Sequence, residues 1–434
     1  MSFLGSVTSP AYTVNLDGEV QDEFDNFYSV LLSLLDKYYP EWSITVTSAD
    51  PPYVTAAVKS MLRQKNKLMR SGRTEKATAL AIKIGTAITR YNSAELSRPD
   101  TLTKATKLWA KVRQLTGRCH NTASYSDTVC VESLNDHYAA ISTDDNYTTP
   151  GTKCTASNRA AFPHITEWRV FKTLDTLRPT ATGLDSIPSW FLRIGAPIFA
   201  APLAEILNLS LTSSVVPTQW KSASILPAPK VAAPLTPSDY RPISITSVIS
   251  RILERMVVKD YIYPSLRNQP HGLVFNDQFA FQPTGSTTAA LVHLLHTVTT
   301  LLENNPFVVV LAIDFSKAFD SVRHSAVLEK FSHLDLPDHI YNWIESFFRD
   351  RFHCTRYGDR KSEFRAITAS IIQGSTIGPA SYVVTASDLH SVTPGNLILK
   401  YADDTYLIIP ATNVKSCSAE ISNIETWACN NHLK

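Results

Sequence analysis

Apolar and polar residues follow two different patterns along this chain, and the pattern changes near residue 161. Residues 53–118 have the spacing of polar helices, and residues 119–160 are polar and rich in residues that favour turns. Beyond them, helical periodicity alternates with short apolar runs typical of strands. The pattern predicts a helical N-terminal extension over residues 1–118, a linker over 119–160 with a short helix at 132–141, and an α+β body.

The first half of the body is predicted to contain a strand and two helices. SASILPAPK, residues 222–230, has the composition of a short strand. The next helix is predicted to open at Asp239 and to run to Met256, because apolar residues recur there at helical spacing. The apolar-periodic run Thr287–Leu302 predicts another long helix.

Two apolar segments in the second half carry carboxylates where a strand ends. PFVVVLAIDF, residues 306–315, is a continuous β-branched run that predicts a strand buried on both faces, with Asp314 near its end. LILKYADDTYLIIP, residues 397–410, predicts a strand, a turn and a strand, with Asp403 and Asp404 at the tip. A carboxylate beside so apolar a run is costly to desolvate unless a cation neutralises it. Mg²⁺ does so well, because it prefers oxygen ligands and binds carboxylates together with phosphates.

The three aspartates are therefore candidate metal ligands and candidate catalytic residues. Two Mg²⁺ ions about 3.5–4 Å apart stabilise both the attacking and the leaving oxygen of an in-line phosphoryl transfer. Other interpretations stay open for each position taken alone. Asp314 is also explained as a helix N-cap or turn residue, and Asp403 with Asp404 as a solvated hairpin turn.

Positive charge is concentrated in the N-terminal extension. The whole chain of 434 residues has a formal net charge of +2, which by itself indicates no partner. Between Pro51 and Arg118, however, there are 15 lysines and arginines and only 3 acidic residues. This segment is either a solvated helix face packed on the body or a surface that contacts nucleic-acid phosphates. The candidate nucleic-acid-binding residues are Lys59, Arg63, Lys65, Lys67, Arg70 and Arg73.

Composition excludes several classes of protein. Hydrophobic residues make up 44% of the chain and charged residues 18%, as in folded globular proteins. No run approaches about 18–20 uncharged apolar residues, and the first residues lack a signal-peptide pattern, so neither a membrane span nor secretion is predicted. The six cysteines are scattered without a C-x-x-C pair, which predicts reduced thiols rather than disulfides or a zinc site. The expected location is cytoplasmic and nuclear.

The residues around the aspartates resemble a known family. AIDFSKAFDSV (312–322), IQGSTIGP (372–379) and LILKYADDTYLI (397–408) look like the three central palm motifs of reverse transcriptases, in their order. Upstream segments resemble the finger motifs of the non-LTR (LINE-type) retrotransposon branch and the segment that precedes those motifs. They are TGLDSIPSWFLR (182–193), WKSASILPAPK (220–230), SDYRPISITSVISRILERMV (238–257) and QFAFQPTGSTTAALV (278–292).

The resemblance implies a right-hand polymerase fold of the α+β class. Its fingers would span residues 161–300. Its palm, an antiparallel sheet backed by helices, would span residues 301–434 with a finger insertion at 331–365. The implied activity is that of an RNA-directed DNA polymerase, which transfers nucleotides from dNTPs to a primer 3′-OH with two Mg²⁺ ions, or with Mn²⁺ in their place. An RNA template, a DNA primer and dNTPs would be the partners, with no membrane and with the oligomeric state left open.

The family's metal and sugar contacts are carried over to matching residues. Asp314 and Asp403 would bind the two ions, the backbone carbonyl of Phe315 would be a further ligand, and Asp404 would be a weaker ligand that completes the charge cluster. Phe319 stands where the family places the aromatic residue that leaves no room for a ribose 2′-OH. From the residues alone, a core aromatic explains Phe319 better.

Five further residues match substrate-binding positions of the family. Gln373 and Gly374 match the pair that contacts the nucleotide, where Gln bonds the sugar or the template base and Gly permits close backbone approach. Lys230 and Arg241 match finger cations that hold the triphosphate. Tyr401 would pack near the primer terminus. Ordinary turns and surface charge remain the alternatives at these positions.

Departures from the family pattern leave a second function open. Gln282 stands where an arginine is common, and Gly285 where a basic residue is frequent. After WACNNHLK (427–434) the last palm strands and the thumb would be missing, so a fragment or truncated copy is expected. The alternative function is a catalytically inactive remnant that at most binds nucleic acid. An RNA-dependent RNA polymerase shares the palm, but Phe319 argues against that activity.

Overall fold

The computed structural model describes residues 12–15, 18–40, 50, 51, 53–96, 129–153, 164–231, 234–267 and 272–433. The chain divides into two compact units, one made of Met1–Tyr38 and Thr128–Lys434 and a smaller one of Tyr39–Asp127. The predictions made for residues 97–128 and 154–160 lie outside the described residues.

The secondary-structure elements are numbered here in chain order. The helices are α1 (Val20–Tyr38), α2 (Ala56–Arg70), α3 (Thr74–Leu96), α4 (Val131–Ile141), α5 (Glu167–Asp175), α6 (Ser189–Ile194), α7 (Ala196–Ser213), α8 (Val248–Val257), α9 (Tyr263–Ser265), α10 (Thr287–Leu302), α11 (Ala318–Ser321), α12 (His324–Ser332), α13 (Asp338–Phe348), α14 (Ile377–Thr385) and α15 (Cys417–Asn430). The strands are β1 (Ser222–Pro229), β2 (Tyr240–Ile245), β3 (Val308–Ile313), β4 (Arg351–Tyr357), β5 (Arg360–Lys361), β6 (Arg365–Ile367), β7 (Leu397–Tyr401) and β8 (Asp404–Pro410). A π-helical turn, Val258–Ile262, follows α8 directly.

The smaller unit contains a hairpin of two helices, α2 and α3, which pack against each other. Thr55 caps the start of α2, because its side chain accepts a hydrogen bond from the backbone N–H of Val58. Gly72 lies in the turn between the helices with a φ of 71°, where a residue with a Cβ atom would be strained.

Helix α1 belongs to the larger unit, which corrects the predicted extension over residues 1–118. Phe24, Phe27 and Leu31 of α1 are fully buried. Phe24 packs edge-on against Trp220, with 4.9 Å between the ring centroids. The periodicity of α1 does not reveal a contact with a residue so distant in sequence, so the pattern alone grouped this helix with the basic ones.

Residues 129–153 are also part of the larger unit, although the sequence predicted a linker there. The short helix predicted at 132–141 is confirmed as α4. Asn135 of α4 is fully buried, and its amide donates to the carbonyl of Glu363 at 2.9 Å. The carbonyl of Ser142 accepts from the backbone N–H of Thr368 and Ala369 at 3.0 and 2.9 Å. Polar residues that suggested a linker therefore take part in buried hydrogen bonds.

The first sheet of the larger unit has the strand order β2-β1-β4-β5, with β6 paired to β4. β1 pairs antiparallel with β2 and parallel with β4, so residues 331–365 return to β1 through α13 and a hairpin. The strand predicted at 222–230 is confirmed as β1. The predicted helix start at Asp239 is wrong, because β2 occupies these residues and α8 begins only at Val248. The backbone of β2 finds its partners on β1, and helical periodicity does not register that pairing.

The second sheet is antiparallel and has the order β3-β8-β7. Ile313 pairs with Thr405, and Tyr401 pairs with Asp404 across the β7–β8 hairpin. The predicted strand–turn–strand is thereby confirmed. The prediction that β3 is buried on both faces is wrong, because β3 lies at one edge of this sheet and Val310 remains 39% exposed.

Helix α10 packs against this sheet and has the predicted bounds. Only Ala290 of α10 is buried, however, and Leu291 and Leu295 are 56% and 66% exposed. The apolar periodicity that predicted the helix therefore does not mark a buried face along its whole length.

Helix α7 lies in the core of the larger unit. Among the described helices it is the one long and apolar enough to cross a membrane, by length and composition only. Phe199, Leu203, Ile206 and Leu207 of α7 are fully buried inside the protein. α7 packs against α1, α5 and α13, which is the environment of a core helix.

Candidate active site

The second sheet brings the three predicted aspartates to one of its ends. Because Ile313 pairs with Thr405, Asp314 leaves β3 beside Asp404, the first residue of β8. Asp403 occupies the two-residue turn between β7 and β8. Burial raises the pKa of the Tyr382 phenol, and the charges of Asp403, Asp314 and Asp404 raise it further.

The electrostatics of the site favour binding a divalent cation. Burial, together with the charges of Asp404 and Asp314, raises the pKa of the half-buried Asp403. Asp314 and Asp404 are exposed, so their oxygens are open to a ligand. Carboxylates that repel one another in this way are the oxygen donors that Mg²⁺ and Mn²⁺ prefer. Within the described residues, no three acidic, histidine or cysteine side chains are grouped in a way that could hold a metal ion.

Gln278 holds the turn that carries Asp403. Its side-chain carbonyl accepts from the backbone N–H of Ala402 at 2.9 Å, and its amide donates to the Ala402 carbonyl at 3.2 Å. Ala402 has a φ of 57°, an unusual backbone conformation for alanine. Gln278 is only 4% exposed. The sequence prediction assigned no role to Gln278, because its partner Ala402 lies 124 residues further along the chain.

A buried ion pair fixes strand β7 beneath this turn. Lys400 is 1% exposed, and its ammonium contacts Asp277 at 3.0 Å. The same ammonium donates to the carbonyls of Ala386 and Leu389 at 2.7 and 2.9 Å. Burial lowers the pKa of Lys400, and the charge of Asp277 opposes that change. Burial likewise raises the pKa of Asp277, and the charge of Lys400 opposes that change.

Phe319 is half-buried and lies beside the acidic cluster. Its ring stacks on Tyr382, with 4.5 Å between centroids and an interplanar angle of 16°. Phe281 meets Phe319 edge-on at 6.1 Å. Phe315 is buried and packs against Trp427 at 5.4 Å. Phe319 therefore combines the packing of a core aromatic with a surface that remains open to a ligand.

Gln373 and Gly374 lie against the end of β2. The carbonyl of Gln373 accepts from the Ser244 N–H at 2.8 Å, and the Gln373 amide donates to Asp320 at 2.9 Å. Gly374 has a φ of 125°, and a Cβ atom there would lie 2.1 Å from the Ser244 carbonyl oxygen. Only glycine fits this close approach.

The structure gathers some of the other predicted residues and leaves others apart. Lys230 donates to the Ser238 carbonyl at 3.0 Å, and its charge favours the ionised form of Asp320, which places it near Gln373. Arg241 is exposed on β2, and no described contact joins it to Gln373 or to the aspartates. Tyr401 is half-buried at the end of β7.

The basic residues predicted to bind nucleic acid lie on the smaller unit. Lys59 pairs with Asp50 at 2.5 Å and is therefore partly neutralised. Lys65 is half-buried. The exposed members of this set are Arg63, Lys67, Arg70 and Arg73.

The two departures from the family pattern have structural explanations. Gln282 is turned inward, because its amide donates to the Phe275 carbonyl at 2.7 Å. A Cβ atom at Gly285 would lie 2.0 Å from the Phe279 carbonyl oxygen, so no larger residue fits. Both residues therefore shape the loop before α10.

An antiparallel sheet with one aspartate after an edge strand and two more at the neighbouring hairpin is the arrangement that the resemblance to palm-type polymerases implies. Residues 228–434 match the family described as "Reverse transcriptase (RNA-dependent DNA polymerase)". This match covers a little under half of the chain and confirms, over these residues, the resemblance seen in the motifs.

The similar curated proteins come from mobile elements. The chain is 32% identical over 236 residues to "RNA-directed DNA polymerase from mobile element jockey" of Drosophila melanogaster, covering 52% of this chain and 25% of that protein. It is 31% identical over 229 residues to "Probable RNA-directed DNA polymerase from transposon BS" of the same species, covering 49% and 25%. It is 24% identical over 217 residues to "Retrovirus-related Pol polyprotein from type-1 retrotransposable element R2" of Popillia japonica, covering 47% and 30%. The matches thus span about a quarter to a third of these relatives, which are non-LTR retrotransposon polymerases.

Proposed function

We propose that this chain carries the polymerase core of an RNA-directed DNA polymerase from a non-LTR retrotransposon. In the proposed reaction, a primer 3′-OH attacks the α-phosphorus of a dNTP paired with an RNA template, and pyrophosphate leaves. The observation that carries this proposal is the meeting of Asp314, Asp403 and Asp404 at one end of one sheet.

The proposed cofactor is a pair of Mg²⁺ ions, for which Mn²⁺ can substitute. Asp314 and Asp403 would hold them, with the Phe315 carbonyl as a further ligand and Asp404 as additional negative charge. When bound, the ions would stabilise the attacking and leaving oxygens. The three carboxylates suit this role, because a divalent cation relieves the mutual repulsion that raises the pKa of Asp403.

The proposed substrate contacts use the other residues that match the family's motifs. Lys230 would bind the triphosphate as a point charge, and Arg241 would reach it from β2. Phe319 would lie under the sugar and exclude a 2′-OH, since its ring is held rigidly by Tyr382. Gln373 and Gly374 would contact the nucleotide, and Tyr401 would pack near the primer terminus.

Proposed roles can be given to each unit by itself. We assign the fingers to the first sheet of the larger unit and the helices around it, and the palm to the second sheet of that unit. The exposed cations of α2 would bind the phosphate backbone by displacing counterions, which makes that binding salt-dependent. Such a polymerase would work in the cytoplasm and the nucleus.

Primer extension tests the proposal directly. The purified chain is incubated with a DNA primer annealed to an RNA template, dNTPs and Mg²⁺, beside the variants Asp403→Asn and Asp359→Asn. Asp359 is exposed in the β4–β5 turn and serves as the matched control. Extension by the wild type and by Asp359→Asn, but not by Asp403→Asn, is expected. Salt-dependent template binding without extension would instead identify the inactive remnant.

A further inference from the structure

Asp320 is a half-buried carboxylate for which the proposed function so far has no use. It lies on α11, the short helix that follows β3 and also carries Phe319. Its Oδ1 accepts a hydrogen bond from Nε2 of Gln373 at 2.9 Å. Two backbone bonds hold the segments together, from Ile371 N–H to the Phe319 carbonyl at 2.7 Å and from Ser370 N–H to the Val322 carbonyl at 2.8 Å. The separation of Asp320 and Gln373 is therefore fixed by the backbone.

The chemistry of this contact leaves one orientation for the Gln373 amide. A glutamine side chain has a donor end, Nε2, and an acceptor end, Oε1, whereas an ionised carboxylate only accepts. The reverse orientation would place two acceptor oxygens against each other at hydrogen-bond distance, without a proton between them. An ionised Asp320 therefore keeps Nε2 toward itself and turns Oε1 away.

Asp320 remains mainly ionised at neutral pH, because its pKa lies below neutrality. Burial raises the pKa of Asp320 to about 6, while the hydrogen bond from Gln373 and the charges of Lys230 and Lys317 counteract that rise. Asp320 also lies near the buried phenol of Tyr138, whose pKa rises through burial and through the charge of Asp320. α4, which carries Tyr138, thus packs beside Asp320.

We propose that Asp320 is a positioning residue that fixes the amide of Gln373, so that the incoming nucleotide meets the acceptor Oε1. This proposal rests on the proposed function, because it assumes that Gln373 faces the nucleotide. The group recognised is then a hydrogen-bond donor of that nucleotide. Its sources are the sugar 3′-hydroxyl and the N–H groups of the base, and the experiment separates them.

The test measures equilibrium nucleotide binding, which needs no chemistry. The full chain is bound to an RNA template and a DNA primer that ends in a dideoxynucleotide, and the Kd for each dNTP and ddNTP is determined with Mg²⁺. Asp320→Asn preserves the shape of the side chain but has both a donor and an acceptor, so Gln373 is free to adopt both orientations. Asp335→Asn, an exposed position beside α12, is the matched control.

The expected result is a rise of about 3- to 10-fold in the Kd for dNTPs in Asp320→Asn, the effect of losing one oriented hydrogen bond. A sugar donor predicts that wild type binds ddNTPs more weakly than dNTPs and that the variant loses this preference. A base donor predicts effects that differ among the four bases and persist with ddNTPs. In a Gln373→Met background, Asp320→Asn should add nothing, because the acceptor is already gone.

Three outcomes would overturn the inference. They are an unchanged Kd for every nucleotide in Asp320→Asn, an equal additional loss of affinity in the Gln373→Met background, and no nucleotide binding by the wild-type complex. Only the last also contradicts the nucleotide site of the proposed function. Normal nucleotide binding without primer extension by the wild type would instead refute the proposed catalysis and leave this inference standing.

Discussion

Replacing Gln278 tests whether one buried amide sets the catalytic turn. The change Gln278→Met keeps the length of the side chain and removes its polar atoms. It deletes the bonds to both backbone groups of Ala402 and a third bond, from the Ala280 N–H at 3.0 Å. These partners lie in a buried region, since Ala402 and Ala280 are 8% and 2% exposed.

The expected loss can be worked from these three bonds. A buried backbone group left without a partner costs about 1–3 kcal/mol, and part of that cost is recovered when the turn moves toward water. A net loss of about 2–4 kcal/mol in the free energy of unfolding is expected. The backbone of Ala402, at a φ of 57°, costs about 1–2 kcal/mol to maintain. Without Gln278 the turn is expected to relax, which displaces Asp403.

The assay combines urea denaturation with primer extension. Gln278→Met should lower the unfolding midpoint and reduce the rate of extension by about tenfold or more, which corresponds to about 1.4 kcal/mol or more of activation free energy. Gln64→Met, at an exposed position of α2 in the smaller unit, is the control and should change neither. Wild-type stability together with wild-type extension in Gln278→Met would refute the reasoning.

Three other changes test separate features of the molecule. Gly374→Ala should raise the KM for dNTPs and destabilise the fold, because its Cβ would lie 2.1 Å from a carbonyl oxygen. The control Gly358→Ala, at a φ of 62° with nothing within 4 Å of the new Cβ, should cost only the backbone strain of about 1–2 kcal/mol. Equal effects of the two changes would contradict this account. Phe319→Val should increase ribonucleotide incorporation relative to dNTPs by about tenfold, measured by extension with rNTPs, and unchanged selectivity would remove Phe319 from the sugar site. The free energy of unfolding of the wild type should fall by up to about 3 kcal/mol relative to that of His324→Gln as the pH falls from about 6.5 to 4. Burial lowers the pKa of His324 to about 4, so the unfolded chain is protonated first. A pH-independent difference between the two free energies of unfolding would contradict this expectation.

Local pattern was sufficient for some elements and failed where distant partners decide the structure. The strand over 222–230, the helix over Thr287–Leu302 and the hairpin around Asp403 were predictable, because each has a strong internal periodicity or apolar run. The segment from Asp239 was predicted as helix, yet its pairing with β1 makes it a strand. The burial of β3 was overestimated, because a run of β-branched residues does not show whether the strand lies at the edge of its sheet.

The candidate site shows the same division. The aspartates were predictable because each follows or separates apolar strands, and the motifs around them resembled one family. Gln278 and Asp320 were not predicted as parts of the site, because their partners lie 124 and 53 residues away. An isolated amide or carboxylate shows no periodicity, so only the folded chain reveals which backbone or side chain it contacts. The functional roles of these residues remain predictions.

Metal binding by the three aspartates is the claim on which the whole account depends. The direct measurement is a Mn²⁺ titration, followed by electron paramagnetic resonance, of the wild type, Asp314→Asn and Asp403→Asn, each bound to template, terminated primer and dNTP. The account predicts about two tightly bound ions per wild-type complex and a loss of at least one in each variant. Equal Mn²⁺ binding by all three proteins would contradict it.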